Sequence, residues 1–235
     1  MAFNGIGGYL NKPGEIPFEF VVAYFLLMPI LIFALAKRNG SLKSFKTVDW
    51  VYIGIGAAAA TAWEFFVGPI LDRAIPSSLS SYVNFDFWGR MFIVFAVASL
   101  VRKPGVGITS LFVFDVLADL FHYGFGGQPL YFIYESLTYG AFVDLVIAIT
   151  GGHIFGLGLT RHQAALGALE GGIIGFLWSL PDPILYEAFL MPFIYGAVVN
   201  WQKVIFDLAA SIPGTTIVGV LGGFSSNRVG KTAQV

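Results

Sequence analysis

Seven apolar segments of about 20 residues run through this chain, and they constrain its fold more than any other feature. A helix needs about 20 apolar residues to cross the hydrocarbon core of a bilayer. We therefore predict membrane-spanning helices at 17–36, 48–71, 85–101, 106–123, 129–149, 163–180 and 201–224. Only 11% of the residues are charged, whereas a soluble domain has roughly 25%. The sequence predicts an all-α, polytopic membrane helical bundle.

One further apolar stretch, 181–200, is interrupted by Pro181, Pro183 and Pro192. Proline removes a backbone donor and disfavours a regular helix interior. This stretch is either a re-entrant or interfacial segment, or an early start of the last helix.

Lysine and arginine are distributed unevenly over the loops, and this asymmetry predicts the orientation. If the seven helices alternate in direction, nine basic residues lie on one side: Lys37, Arg38, Lys43, Lys46, Arg102, Lys103, Arg161, Arg228 and Lys231. The other side has Lys12, Arg73, Arg90 and Lys203. Basic residues concentrate on the cytoplasmic side. The chain is therefore predicted to lie in the plasma membrane with its N-terminus outside and its C-terminus in the cytoplasm.

Several function classes lack support in the sequence. The absence of cysteine excludes disulfides, thiolate metal sites and cysteine nucleophiles. The three histidines are far apart, and a net charge of −1 gives no sign of nucleic-acid binding. No phosphate-binding loop, HExxH or GxSxG motif occurs. We expect no enzymatic activity, no cofactor and no metal site.

The predicted outer half is rich in carboxylates and aromatic side chains. The acids are Glu64, Asp72, Asp86, Asp119, Glu135, Asp182, Glu187 and Asp207. The aromatics are Trp63, Trp88, Tyr123, Tyr131, Tyr134, Trp178, Tyr186 and Trp201. One interpretation is an interfacial aromatic belt, with acids that pair with Arg90 or Lys203. The other is a site for an organic cation, held by charge pairing and cation–π attraction.

For the cation site we rank three carboxylates and five aromatic residues first, because of their depth below the outer interface. The carboxylates are Glu64, Asp119 and Glu135. The stacking candidates are Trp63, Tyr131, Tyr134, Trp178 and Trp201. Asp115, Asp144 and Glu170 lie deeper. They suit either an ion relay or hydrogen bonds between helices, and we favour the second role.

The second apolar segment has small residues at a spacing of four. Gly56 and Ala60 form one such pair, and Ala58 and Ala62 form another. Small residues let helix backbones approach closely within a membrane. These faces serve either internal packing or contact with another membrane subunit.

Several stretches together resemble a known family. These are FIVFAVASLVRKPG at Phe92–Gly105, the acidic fourth segment with Asp119, the glycine-rich break before Pro129, and GAFVD at Gly140–Asp144. The last segment ends GVLGGF at Gly219–Phe224, followed by Gly230 and Lys231. The chain resembles the substrate-binding S components of energy-coupling factor (ECF) transporters, and most closely the YkoE group.

The resemblance implies a six-helix core within 48–235, and an extra transmembrane helix and cytoplasmic loop within 1–47. It also implies the role of a vitamin-capturing subunit that works with a membrane coupling (T) subunit and two cytoplasmic ATPases. The YkoE group is associated with thiamine or its hydroxymethylpyrimidine part. Two other functions stay open, namely an ion-coupled secondary transporter and a structural membrane subunit of a larger complex.

Overall fold

The structure, a computed structural model, describes residues 11–12, 14–124 and 126–233. This described part is helical and contains no β-strand. Its α-helices are α1 Phe18–Arg38, α2 Thr47–Ala62, α3 Gly68–Asp72, α4 Phe85–Val101, α5 Val106–Ala118, α6 Leu130–Glu135, α7 Ala141–Ile149, α8 Gln163–Trp178, α9 Met191–Tyr195 and α10 Trp201–Thr232. Four π-helical segments occur at Trp63–Val67, Asp119–Tyr123, Ser136–Gly140 and Asp182–Leu190, and a 3₁₀ turn occurs at Ile154–Gly156.

Six helical stretches of the described chain are long and apolar enough to cross a membrane. They are Phe18–Arg38, Thr47–Asp72, Val106–Tyr123, Leu130–Ile149, Gln163–Tyr195 and Trp201–Thr232. They coincide with six of the seven predicted segments, as expected for an integral membrane protein. The remaining segment forms α4, which has only 17 residues and contains Asp86 and Arg90.

The proline-containing stretch 181–200, which follows α8, does not form an early start of the last helix. It continues the sixth segment as the π-helix Asp182–Leu190 and α9, and ends at Gly196 in a left-handed conformation. An early start of the last helix is therefore wrong, because α10 begins at Trp201. Asn200 caps that start, since its Oδ1 accepts hydrogen bonds from the N–H groups of Gln202 and Lys203 at 3.1 and 3.2 Å.

The helices form a closed ring with one helix outside it. Around the ring α2 packs on α5, α5 on α7, α7 on α8, α8 on α10, α10 on α4 and α4 on α2. Helix α1 packs mainly on α7 and buries only Val21, Ile32 and Ala36. This places the first helix at the periphery of a six-membered arrangement.

The closest contact in the ring joins α8 and α10 through glycines. Gly167, Gly171 and Gly175 face Gly219 and Gly223 so closely that a Cβ at any of them would overlap the backbone of the other helix. Small residues at this spacing allow dispersion contacts between backbones, which hold helices together in lipid. In the sequence only the glycines of α10 stood out, and their partners on α8 did not.

The turn between α4 and α5 is anchored by buried acids. Gly105 has a φ of 99°, a conformation that favours glycine. Lys103 forms an ion pair with Asp49 of α2. Asp144 of α7 accepts hydrogen bonds from the N–H groups of Gly107 and Ile108, each at 2.9 Å. The two hydrogen bonds to Asp144 satisfy backbone N–H groups that have no partner within the first turn of α5.

Glu170 has a similar structural role. Its carboxylate accepts a hydrogen bond from the N–H of Phe155, within the 3₁₀ turn. Asp144 and Glu170 thus make hydrogen bonds between elements, although their partners are backbone N–H groups rather than hydroxyl side chains. Asp115, the third of the deeper acids, has a different environment and belongs to the site described next.

Candidate functional site

A cavity of about 770 Å³ opens at one end of the bundle. Its lining includes the end of α5, the first turns of α4, α6 and α10, and the segment after α8. We call this the cavity end of the bundle. The turn Arg102–Gly105 joins the opposite ends of α4 and α5 and defines the turn end. The volume lies in the range of small-molecule binding sites, roughly 300–1,000 Å³.

All four π-helical segments border this cavity. Trp63–Val67 contributes Glu64, and Asp119–Tyr123 contributes its first and last residues. Ser136–Gly140 contributes Tyr139, and Asp182–Leu190 contributes Asp182, Tyr186 and Glu187. A π-turn widens the helix and re-aims the side chains that follow it, and such turns are frequent at functional sites. The irregular backbone is therefore concentrated where the cavity is lined.

The lining is strongly acidic. Eight carboxylates border the cavity: Glu64, Asp86, Asp115, Asp119, Glu135, Asp182, Glu187 and Asp207. The lysines and arginines of this lining are Arg90 and Lys203. Seven of the eight acids were assigned to this end from the sequence. The eighth, Asp115, was placed deeper, and Asp72 lies outside the lining, where it accepts hydrogen bonds from the N–H groups of Phe85 and Asp86.

Arg90 forms the centre of the cavity floor. Its side chain is 3% exposed, its Nε lies 2.8 Å from Glu64 Oε2, and its Nη1 donates a hydrogen bond to Glu135 Oε2. The guanidinium also lies over aromatic rings, at 4.8 Å from the ring centre of Phe114 and 5.1 Å from that of Phe87. These contacts fix the guanidinium by charge pairing and cation–π attraction.

Two of the three top-ranked carboxylates are therefore already paired. Glu64 and Glu135 border the cavity as predicted, but both share the charge of Arg90. The third, Asp119, has its Oδ1 2.7 Å from the N–H of Gly127, which donates to it. The sequence offered Arg90 and Lys203 as possible counter-ions for these acids. Nothing in the residues around Arg90 indicated that it would lie at the centre of the floor.

Lys203 neutralises a second pair of acids nearer the rim. It forms ion pairs with Glu187 and, at 2.6 Å, with Asp207 one helical turn away. The Lys203 side chain is 57% exposed, so this pair contributes little to stability.

The other four lining carboxylates have no lysine or arginine within ion-pair distance in the described chain: Asp86, Asp115, Asp119 and Asp182. Asp86 accepts a hydrogen bond from the N–H of Phe87 at the start of α4. Asp182 is exposed to the cavity. Asp115 is only 6% exposed, and its Oδ2 has no hydrogen-bond partner.

Aromatic side chains also form part of the cavity wall. Tyr131, Tyr134 and Trp178 border the cavity as predicted. The hydroxyl of Tyr131 lies 3.4 Å from the hydroxyls of both Tyr186 and Tyr195. Trp178 is fully buried behind the wall, and its Nε1 donates a hydrogen bond to the carbonyl of Tyr139 at 2.9 Å.

Trp63 and Trp201, the other two predicted stacking residues, are absent from the lining. The indole of Trp63 packs against Gly89 of α4, and its Nε1 donates to the carbonyl of Phe85 at 2.8 Å. Trp201 is 44% exposed and donates to the carbonyl of Gly14 at 2.8 Å. The structure therefore places both outside the cavity lining, because each indole N–H is engaged by a backbone carbonyl of a neighbouring segment, and their role in ligand binding stays a prediction.

The two small-residue pairs of α2 face in different directions. Gly56 and Ala60 are buried, and Gly56 lies directly against Val97 of α4. Ala58 and Ala62 are exposed on the outer surface of the ring. They border a shallow apolar groove with Thr61, Phe66, Leu117 and Phe121. Gly56 and Ala60 therefore serve internal packing, and only Ala58 and Ala62 remain accessible to a partner.

Among the described residues, no group of three or more histidine or acidic side chains is placed to hold a metal ion. No family model, no curated protein and no solved structure matches this chain.

Proposed function

We propose that this protein is the substrate-binding membrane subunit of an ECF-type importer, and that it captures an organic cation such as thiamine in the cavity. The observation that carries the cation part is the charge of the lining. Both basic side chains of that lining are engaged in ion pairs, whereas four of its carboxylates have no basic partner in the described chain. A cavity of this charge attracts cations and repels anions.

The aromatic wall supports an aromatic, flat ligand. The ring centre of Tyr186 lies 6.0 Å from that of Tyr131 and 6.4 Å from that of Tyr134, and all three residues border the cavity together with the acids. A cationic ring held against such a surface gains cation–π attraction. The thiazolium and aminopyrimidine rings of thiamine fit this chemistry, and the resemblance to the YkoE group supports the same ligand.

The unpaired acids are better contacts for the ligand than the paired ones. Asp182 and Asp119 both border the cavity, on the π-helical segments after α8 and α5. Glu64 and Glu135 would have to exchange Arg90 for the ligand. We therefore assign the direct charge contacts to Asp182 and Asp119, and a supporting role to the two glutamates.

The proposed partners are a membrane coupling subunit and two cytoplasmic ATPases. The resemblance supports this part of the proposal, and the exposed Ala58 and Ala62 offer a small-residue face for close helix contact. The basic asymmetry of the loops supports a cavity that opens to the outside. A reporter fused after Val235 should then be active only in the cytoplasm, and activity on the outer side would reverse the orientation.

Calorimetric titration of the purified protein with thiamine tests the ligand assignment. We expect binding of thiamine and weaker binding of its uncharged hydroxymethylpyrimidine part. Equal affinity for the two compounds would show that the positive charge does not contribute to binding. No binding of either compound would contradict the assignment of thiamine as the ligand. Uptake of thiamine by liposomes that contain this chain alone would favour a secondary transporter instead.

A further inference from the structure

The cavity floor holds more negative charge than its single cation can balance. We call Glu64, Arg90, Asp115 and Glu135 the floor cluster. Glu64 and Glu135 both contact Arg90, and Asp115 interacts electrostatically with all three. Three ionised carboxylates around one guanidinium would leave two uncompensated negative charges below the surface of a membrane protein. Such charges are costly unless they are paired or lose their charge.

Asp115 is the member of the cluster that lacks a partner. It is 6% exposed, borders the cavity, and its Oδ2 has no hydrogen bond. Every neighbouring element that interacts with it presents an acid, Arg90 or a tyrosine. The groups are Glu64 from Trp63–Val67, Arg90 from α4, Glu135 from α6 and Tyr123 from Asp119–Tyr123. Arg90 is already shared between the two glutamates, so it cannot neutralise Asp115 as well.

A proton fits this position better than a metal ion. The acids of the cluster are not placed to bind one metal ion together. A proton needs only one carboxylate oxygen, and it removes one negative charge at the least accessible acid of the cluster. Like-charged carboxylates at one site share protons for the same reason.

We propose that the Asp115 carboxyl carries a proton in the ligand-free protein, and that binding of an organic cation releases this proton to water. This inference rests on the proposed function for its second half only. In the exchange the O–H bond of Asp115 breaks, the proton leaves through the open cavity, and the carboxylate faces the bound cation. One positive charge replaces another, so the net charge of the floor stays the same before and after binding.

Infrared spectroscopy of the ligand-free protein, as the difference between the wild-type and Asp115→Asn spectra, tests whether the Asp115 carboxyl carries a proton. We expect the carbonyl stretch of a protonated carboxyl group at neutral pH, and we expect it to disappear in Asp115→Asn. Asp119→Asn is the matched control and should keep the band, because Asp119 is partly exposed and accepts a hydrogen bond from Gly127. Absence of the band in the wild-type protein, or its survival in Asp115→Asn, would overturn the proposal.

Calorimetric titration with thiamine in buffers of different ionisation enthalpy tests whether binding of the cation releases this proton. The wild-type protein should release about one proton per cation bound, and Asp115→Asn close to none. Thiamine binding without any dependence on the buffer would overturn the exchange while leaving the proposed function intact. Failure to bind thiamine at all would count against the proposed function, and the infrared result would still decide whether Asp115 holds a proton.

Discussion

Arg90 on α4 donates a hydrogen bond to Glu135 on α6, and this pair spans the interior of the helix ring. Helix α4 packs on α2, α10 and α5, and α6 packs on α5. The side chains of Arg90 and Glu135 therefore link α4 to α6 across the cavity floor.

Removal of the Arg90 charge should destabilise the protein strongly. Arg90→Met leaves Glu64 and Glu135 buried without their counter-ion, which costs about 3–5 kcal/mol for a pair of this kind. Lys203→Met is the matched control, because it breaks an exposed pair that is worth about 0–1 kcal/mol. Melting curves in detergent compare the two variants. Equal loss in both would show that Arg90 is not the centre of the floor.

Loss of the Asp182 charge should weaken thiamine binding without unfolding the protein. A charge-assisted contact is worth about 1.5–3 kcal/mol, so Asp182→Asn should lower affinity roughly tenfold to a hundredfold. Asp207→Asn removes the same charge from the lining at an acid that already pairs with Lys203. Calorimetry should show a clearly smaller loss for Asp207→Asn. Similar losses would mean that only the overall field of the cavity matters.

A methyl group at Gly171 should separate α8 from α10. Its Cβ would overlap the backbone of Gly219 and Gly223, so Gly171→Ala should cost about 1–3 kcal/mol of stability. Gly54→Ala adds the same group to α2, where nothing lies within 4 Å. That control should be neutral or stabilising by up to about 1 kcal/mol, because alanine is the better helix former. A stable Gly171→Ala protein would contradict the close packing.

A larger side chain at position 58 should prevent assembly with a coupling subunit and leave ligand binding unchanged. Ala58→Leu lies on the exposed face of α2, so we expect unchanged melting and thiamine affinity. Association with a coupling subunit should be lost if this face is the contact. Ala23→Leu makes the same change on the exposed face of α1 and should assemble normally. Normal co-purification of the Ala58→Leu protein with coupling subunit and ATPases would exclude this face.

Sequence alone determined that the described chain is a bundle of helices, that six of them are long and apolar enough to cross a membrane, and where most of them lie. The reason is local, because the length of an apolar segment and a proline or asparagine at its end affect only the helix that this segment forms. It also placed seven of the eight lining acids at one end, together with Tyr131, Tyr134 and Trp178. Position along a helix is sufficient for that inference, because each residue advances the axis by a nearly constant 1.5 Å.

Only the tertiary structure decided which of these side chains meet. The pairing of Glu64 and Glu135 with Arg90, and the lack of a partner for Asp115 Oδ2, depend on contacts between segments far apart in the chain. Trp63 and Trp201 turn away because neighbouring carbonyls engage them. The π-helical segments rotate the side chains that follow them out of the regular helical period. A pattern read with that period cannot assign the direction of these side chains.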